Sequence, residues 1–279
     1  MKIQKIIFCW FILFILVSCS QNDEKVSLIK ENNLEMQMID AYNEGLKELN
    51  RGDIFFAAKK FNEVELLYPQ SVWAPRSTLM AAYSYYSQLY YNDAIFELER
   101  FLDKYKNHPD TDYAYYLLGV CHYNQIIDEK KDLGEIIKAK EYFTLLRNRY
   151  PNTDFSEDAK FKLELIEEIL ASKELYLANY YVEREKWIPA MNRYKKIVNK
   201  YDTTIFVEEA LYRLVELNYK LGLENESKKY AIMLGYNYQS SDWYERSYKI
   251  LNKEYKKINI KNDLNKQKSL LKRFKKLFQ

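Results

Sequence analysis

The chain has 279 residues, 48% of them hydrophobic, and a formal net charge of +3. The charge is unevenly distributed: residues 253–279 carry +8 and residues 1–18 carry +2, which leaves −7 for residues 19–252. An acidic body of this size argues against nucleic acid as a partner, because binding to phosphates requires clustered basic side chains.

Residues 1–18 have the features of an export signal. Two lysines precede an apolar run, residues 6–17, which is shorter than the roughly 20 residues that span a bilayer. The run ends in Leu16-Val17-Ser18-Cys19, which resembles the lipobox of bacterial lipoproteins. The alternative is an ordinary secretory signal that contains a cysteine. We predict lipidation at Cys19, with the acylated cysteine as the new N-terminus.

Cysteine usage and the next residues extend this prediction. Once Cys9 is removed with the signal and Cys19 carries lipid, Cys121 is the remaining thiol, so an intramolecular disulfide is not expected. Residues 19–33 are polar, which predicts a flexible tether. Ser20 stands where lipoproteins retained in the inner membrane tend to have Asp. In a bacterium with two membranes this predicts the outer membrane, where we expect the lipid-anchored protein on the periplasmic face.

A repeated pattern follows the tether. Within residues 50–69, Ala57 and Phe61 lie four residues apart on one helical face and Pro69 ends the helix. A small residue, an aromatic and a proline at these positions form the second half of a tetratricopeptide unit. The small residue recurs at spacings of 37, 45, 51 and 37 residues, as Ala57, Ala94, Ala139, Ala190 and Ser227. The position four residues later is occupied by Phe61, Leu98, Phe143, Tyr194 and Ala231.

These repeats predict an all-α fold, a tetratricopeptide-like solenoid of five helix-turn-helix pairs. The insertion at residues 128–135 is charged and contains Gly134, which predicts a surface loop. The insertion within residues 156–184 keeps a helical stripe without Pro or Gly, which predicts one long helix linking repeats 3 and 4. In the second pair, Asn92 is predicted to cap the second helix.

The predicted domains follow from these elements. After the signal and the tether, residues 34–152 form repeats 1–3 and residues 153–240 form repeats 4–5. Residues 241–279 form a helical extension with a basic amphipathic tail. In residues 263–279, apolar side chains recur at helical spacing among lysines, and this tail is predicted to dock on a protein or on this chain itself, with membrane contact as the alternative.

Tyrosines are concentrated in the second pair. Five within nine residues cannot all face one core, so either some line a binding groove or they pack between repeats; the sequence leaves both open. The five are Tyr83, Tyr85, Tyr86, Tyr90 and Tyr91.

Three segments resemble a known family. Residues 108–119 contain a His-Pro, then Asp112, Tyr113, Tyr116 and Gly119, and residues 149–153 and 179–193 continue the likeness. They resemble the tetratricopeptide lipoproteins of the outer-membrane β-barrel assembly machinery, over about residues 41–231.

The resemblance implies two binding surfaces. The first half would receive the C-terminal segment of unfolded outer-membrane β-barrel precursors on a concave, Tyr-lined surface, for which we predict Tyr68, Trp73, Tyr83 and Arg100, with Arg100 pairing a terminal carboxylate. The second half would dock on the periplasmic domains of the barrel-forming subunit, beside accessory lipoproteins. For that surface we predict Tyr180, Tyr181 and Arg193, with an internal salt bridge from Arg193 to Glu183 or Glu185 as the alternative.

An enzyme is not predicted. The sequence contains no GxSxG, P-loop or GxGxxG pattern, and its two histidines, without a cysteine pair or HExxH, predict no metal site. No cofactor is expected. The alternative function is another tetratricopeptide lipoprotein, such as a secretin pilotin or a cell-wall coordinating factor.

Overall fold

The structure is a computed structural model that describes residues 24–126 and 133–252. These residues form eleven α-helices, which confirms the all-α class. In chain order they are α1 Glu24–Arg51, α2 Ile54–Leu67, α3 Trp73–Ser87, α4 Tyr91–Lys104, α5 Thr111–Asn124, α6 Gly134–Arg149, α7 Asp154–Glu183, α8 Trp187–Lys200, α9 Val207–Lys220, α10 Glu224–Asn237 and α11 Asp242–Leu251.

The chain divides into two compact units within α7: the first unit ends at Leu163 and the second begins at Glu164. In the first unit, α1 packs on α2, α3 on α4 and α5 on α6, and neighbouring pairs stack through α2 with α3 and α4 with α5. In the second unit, α9 packs on α8 and α10, and α11 covers α9 and α10.

Small residues allow the paired helices to approach closely. Ala57, Ala94, Ala139, Ala190 and Ser227 are fully buried, as the repeat pattern predicts. The facing first helices also carry small residues. A Cβ added to Gly45 would lie 2.9 Å from Phe61 Cε1. The Phe61 ring therefore fits opposite this position because glycine has no side chain.

The turns within the pairs share one backbone conformation. Gly52 and Gly222 have φ angles of 86° and 77°, and the equivalent turns place Leu89 at 66° and Glu185 at 57°. A left-handed conformation costs an L-residue about 1–2 kcal/mol, which glycine avoids. Glycine therefore forms this tight turn in two pairs, whereas Leu89 and Glu185 adopt the same conformation in two others at that cost in free energy.

Each unit has its own core. In the first unit, Phe61, Leu98, Phe101 and Phe143 are fully buried. In the second unit, Tyr194, Ile197 and Leu214 are fully buried in one cluster. Burial raises the pKa of the Cys121 thiol to about 12, consistent with its predicted role as a small apolar core residue.

Most predicted elements match the structure. The long helix is confirmed as α7. The prediction of a flexible tether is wrong from residue 24 onward, because α1 begins at Glu24. This stretch lacks Pro and Gly, so the first helix of the first pair can extend through it. Asn92 is also wrong as a cap, because α4 begins at Tyr91 and its N-cap is Tyr90.

Several predictions concern residues outside the described ranges. These are the signal, Cys19, the start of the tether, most of the 128–135 insertion and the basic tail from residue 253. Within the described ranges, no helix is long and apolar enough to cross a membrane.

Candidate functional site

The first helices of the pairs present a set of aromatic side chains in the first unit, which we call the aromatic face. It consists of Tyr83 and Tyr86 on α3, Tyr113 and Tyr116 on α5, and Phe155 at the start of α7. The ring centroids of Tyr83 and Tyr86 lie 6.3 Å apart. Phe155 lies 5.4 Å from Tyr113 and 5.1 Å from Tyr116. Such rings offer a large contact area with polar edges.

Helical spacing produces this face. Tyr83 and Tyr86 are three residues apart, as are Tyr113 and Tyr116, and residues three apart lie on one side of a helix. Burial, and then the nearby Tyr83 and Tyr86 side chains, raise the pKa of Tyr113.

The aromatic face ends in charged groups on α7. The Tyr116 hydroxyl donates to Asp158 Oδ2 at 2.8 Å. Burial, and then this carboxylate, raise the pKa of Tyr116. Lys162 Nζ lies 3.5 Å from Asp158 Oδ2 and 5.4 Å from the Tyr123 ring centroid. The lysine and the carboxylate at this end are therefore already paired with each other.

The structure places the predicted peptide-binding residues in different surroundings. Tyr83 lies on the aromatic face and is 41% exposed. Trp73 packs against Tyr42 of α1, with ring centroids 5.0 Å apart. Tyr68 is the C-cap of α2 and is exposed. Of these three, Tyr83 is the one that belongs to the aromatic face, and the other two lie near the α1–α2 pair.

The Arg100 guanidinium makes several contacts within the first unit. Its Nη2 donates to Glu97 Oε2 at 2.5 Å and to Asn62 Oδ1 at 2.7 Å. Its Nη1 donates to Glu65 on α2, so the side chain joins α2 to α4. The pairing of Arg100 with a peptide carboxylate therefore stays a prediction, and such a carboxylate would compete with Glu65 and Glu97, whose contacts with Arg100 were not predicted from the sequence.

The tyrosines of the second pair divide between the two predicted roles. Tyr83 and Tyr90 are exposed, whereas Tyr85, Tyr86 and Tyr91 are half-buried. The ring of Tyr91 lies 6.2 Å from that of Tyr86, inside the pair. Both packing between helices and an exposed aromatic surface therefore occur within this one segment.

The predicted docking residues lie in the second unit, at the end of α7 and on α8. Tyr180 is 41% exposed, and the Arg184 guanidinium lies 3.5 Å from its ring centroid. Tyr181 packs half-buried against the core of this unit, 5.7 Å from the Tyr180 ring. An exposed aromatic ring covered by a guanidinium is a composition typical of protein interfaces.

Arg193 forms an internal salt bridge, but with neither of the partners considered from the sequence. Its Nη1 donates to Glu174 Oε2 at 2.9 Å, and Lys196 Nζ donates to Glu174 Oε1 at 2.5 Å. Hydrogen bonding to Glu174 raises the pKa of Arg193. Glu183 and Glu185 are therefore wrong as partners, and the correct carboxylate lies buried further back on α7.

Sequence reasoning missed part of the aromatic face. Tyr113 and Tyr116 belong to the segment that carries the family resemblance, yet Phe155 and Asp158 were not connected with them. The repeat period could have indicated the first two, since first helices of successive pairs lie side by side. Phe155 and Asp158 lie beyond the insertion that breaks the period, so the sequence carries no such signal for them.

The fold and these surfaces define a class of protein, a helical-repeat scaffold with aromatic side chains on its surface. Among residues 24–126 and 133–252, no cluster of three or more His, Cys, Asp or Glu side chains could hold a metal ion. The family model YfiO, described as outer membrane lipoprotein, matches residues 34–234. The chain belongs to this family.

Two relatives among known proteins agree with this assignment. The outer membrane protein assembly factor BamD of Caulobacter vibrioides is 33% identical over 234 residues, which cover 84% of this chain and 76% of the relative. BamD of Rickettsia prowazekii is 33% identical over 220 residues, covering 79% of this chain and 88% of the relative. A solved complex of the TPR2AB domain of yeast Sti1 is 14% identical, with a TM-score of 0.42, and covers 78% of this chain and 82% of that one. The resemblance drawn from residues 108–119 and 179–193 is confirmed.

Proposed function

We propose that the chain is a lipid-anchored scaffold that takes part in the assembly of outer-membrane β-barrel proteins. Membership of an outer membrane lipoprotein family supports the location, and relatives that are outer membrane protein assembly factors support the process. The anchor would be the lipid on Cys19. The first helix pair begins with α1, which starts five residues later at Glu24.

The aromatic face is the surface that would bind unfolded barrel precursors. An extended precursor segment carries alternating apolar side chains, and Tyr83, Tyr113 and Phe155 provide rings against which they can pack. The mechanism proposed is binding and not catalysis.

A cross-linking experiment tests this surface. With photoreactive benzoylphenylalanine in place of Tyr83, we expect capture of the C-terminal segment of a barrel precursor. Phe96 on α4 is the matched control, because it is also aromatic and is 65% exposed, but lies on a second helix. Capture at Phe96 equal to or above that at Tyr83 would contradict the proposal.

The second unit would hold the partner subunits. The exposed Tyr180 with its stacked Arg184, and Arg193 on the neighbouring α8, form a surface of aromatic and guanidinium groups that suits an acidic partner. The periplasmic domains of the barrel-forming subunit are the proposed partner, with accessory lipoproteins as further ones. This assignment rests on the family resemblance of residues 179–193.

Arg193 and Lys196 provide an internally matched test of docking. Both side chains are 37% exposed and both pair with Glu174, so either change to Gln removes one of two contacts to the same carboxylate. We expect Arg193→Gln to weaken binding of the barrel-forming subunit about tenfold, and Lys196→Gln to leave it nearly unchanged. Binding would be measured by surface plasmon resonance and folding by thermal denaturation. Equal losses of binding from both variants would assign Arg193 a structural role only.

A further inference from the structure

Arg76 is a cation without a partner on the first unit. It lies on α3 and is exposed, and its side chain has no hydrogen bond, ion pair or ring contact within residues 24–126 and 133–252. Arg100 and Arg193 are both held by carboxylates, and Arg149 lies over the Tyr115 ring. Arg76 therefore contributes no visible contact to the fold.

Its place in α3 also gives no structural reason for a positive charge. Arg76 is in the first turn of the helix, which contains no acidic residue. Cations near a helix N-terminus are disfavoured by roughly 0.3–1 kcal/mol, since this end of the helix dipole is positive. An anion bound at Arg76 would remove that unfavourable interaction.

Helical geometry places Arg76 beside the aromatic face. Tyr83 follows it by seven residues, close to two helical turns, so the two side chains share one side of α3 at a separation of about 10 Å along the axis. Arg76 also precedes Tyr113 by one repeat length of 37 residues, so the two hold equivalent positions on neighbouring first helices. A ligand lying on Tyr83 and Tyr113 would have Arg76 at its border.

We propose that Arg76 binds the terminal carboxylate of the peptide held on the aromatic face. The occupant is a carboxyl-terminal segment with aromatic side chains, whose rings pack on Tyr83 and Tyr113 while its last carboxylate pairs with the guanidinium. Charge complementarity carries this assignment: Arg100 is held by Glu65 and Glu97, and Lys162 by Asp158, whereas Arg76 is unpaired. The inference rests on the proposed function of the aromatic face.

A double-mutant cycle between peptide and protein tests this pairing. The probe is a synthetic decapeptide of alternating apolar residues ending in Phe, prepared with a free carboxylate and as its C-terminal amide. We expect wild type to bind the acid about threefold to tenfold more tightly than the amide by fluorescence anisotropy. Arg76→Gln should bind the two peptides with equal affinity. The free carboxylate loses its pairing with the guanidinium, whereas the affinity for the amide changes little.

Lys162→Gln is the matched control, since Lys162 is also a cation beside the aromatic face but is paired with Asp158, and this variant should keep the wild-type preference. An acid-to-amide ratio that is unchanged in Arg76→Gln, or lost in Lys162→Gln, would overturn the assignment to Arg76. Equal binding of acid and amide by wild type would overturn carboxylate recognition while leaving the peptide site in place. Failure of wild type to bind either peptide would overturn the proposed function itself, so the two failures are distinguishable.

Discussion

Replacing Gly119 by alanine is expected to destabilise the first unit by about 2–3 kcal/mol. A Cβ at this position would lie 2.5 Å from Cε1 and 2.7 Å from Cδ1 of Phe143, well inside van der Waals contact. Phe143 is fully buried where α5 packs on α6, so its ring cannot move aside without displacing other core residues. We would measure the loss as a change in the urea midpoint at constant m value.

Changing the facing residue should restore most of this stability. The second pair of the same unit carries Ala82 and Leu98, one repeat of 37 residues from Gly45 and Phe61, and both are fully buried in one cluster. Gly119→Ala combined with Phe143→Leu would reproduce that combination in the third pair. The double variant should therefore be more stable than Gly119→Ala alone, although removing ring atoms by itself also costs stability.

Two controls make this result specific. Gly45→Ala introduces a weaker clash, with a Cβ 2.9 Å from Phe61 Cε1, and should cost less than Gly119→Ala. Phe143→Leu alone measures the cavity left above Gly119. Losses in the double variant that merely add up those of the two single variants would show that the methyl group and the ring do not compete for space.

The arrangement of the helix pairs was predictable because it depends on local, periodic features. Ala57, Ala94 and Ala139 recur at the positions where backbones approach, and burial of each follows from that spacing alone. The continuous α7 was predictable for a similar reason, since its apolar stripe has no Pro or Gly to interrupt it.

The pairing of charged side chains was not predictable. Arg100 and Glu65 are 35 residues apart, and Arg193 and Glu174 are 19 apart, so each contact depends on how one helix lies against another. Sequence reasoning favours partners that are close along the chain, and this led to Glu183 and Glu185, which precede Arg193 by ten and eight residues. The same limitation concealed Arg76, whose significance is the absence of a partner in the described structure.

Glu65 should be the most costly carboxylate to remove from the first unit. It is 4% exposed on α2 and accepts hydrogen bonds from Lys104 Nζ at 2.7 Å and from the Tyr105 hydroxyl at 2.8 Å, as well as from Arg100. Glu65→Gln keeps the shape of the side chain but leaves three donors facing a neutral amide. We expect a loss of about 2–4 kcal/mol at pH 7, measured by urea unfolding.

The dependence on pH separates this electrostatic contribution from packing. Burial by itself raises the pKa of Glu65, but the hydrogen bonds from Lys104, Tyr105 and Arg100 outweigh it and lower the pKa from 4.5 to about 2. Since the folded state has the lower pKa, the stabilisation is fully present above pH 4.5 and is lost as the pH falls towards about 2. Protonated Glu65 resembles glutamine, so the stability difference between wild type and Glu65→Gln should shrink over that range.

Glu63→Gln is the matched control on the same helix. Because Glu63 has one exposed pair with Lys60, its replacement should cost less than about 0.5 kcal/mol. A difference for Glu65→Gln that stays constant from pH 7 to pH 2.5 would show that its cost comes from packing and not from the charge.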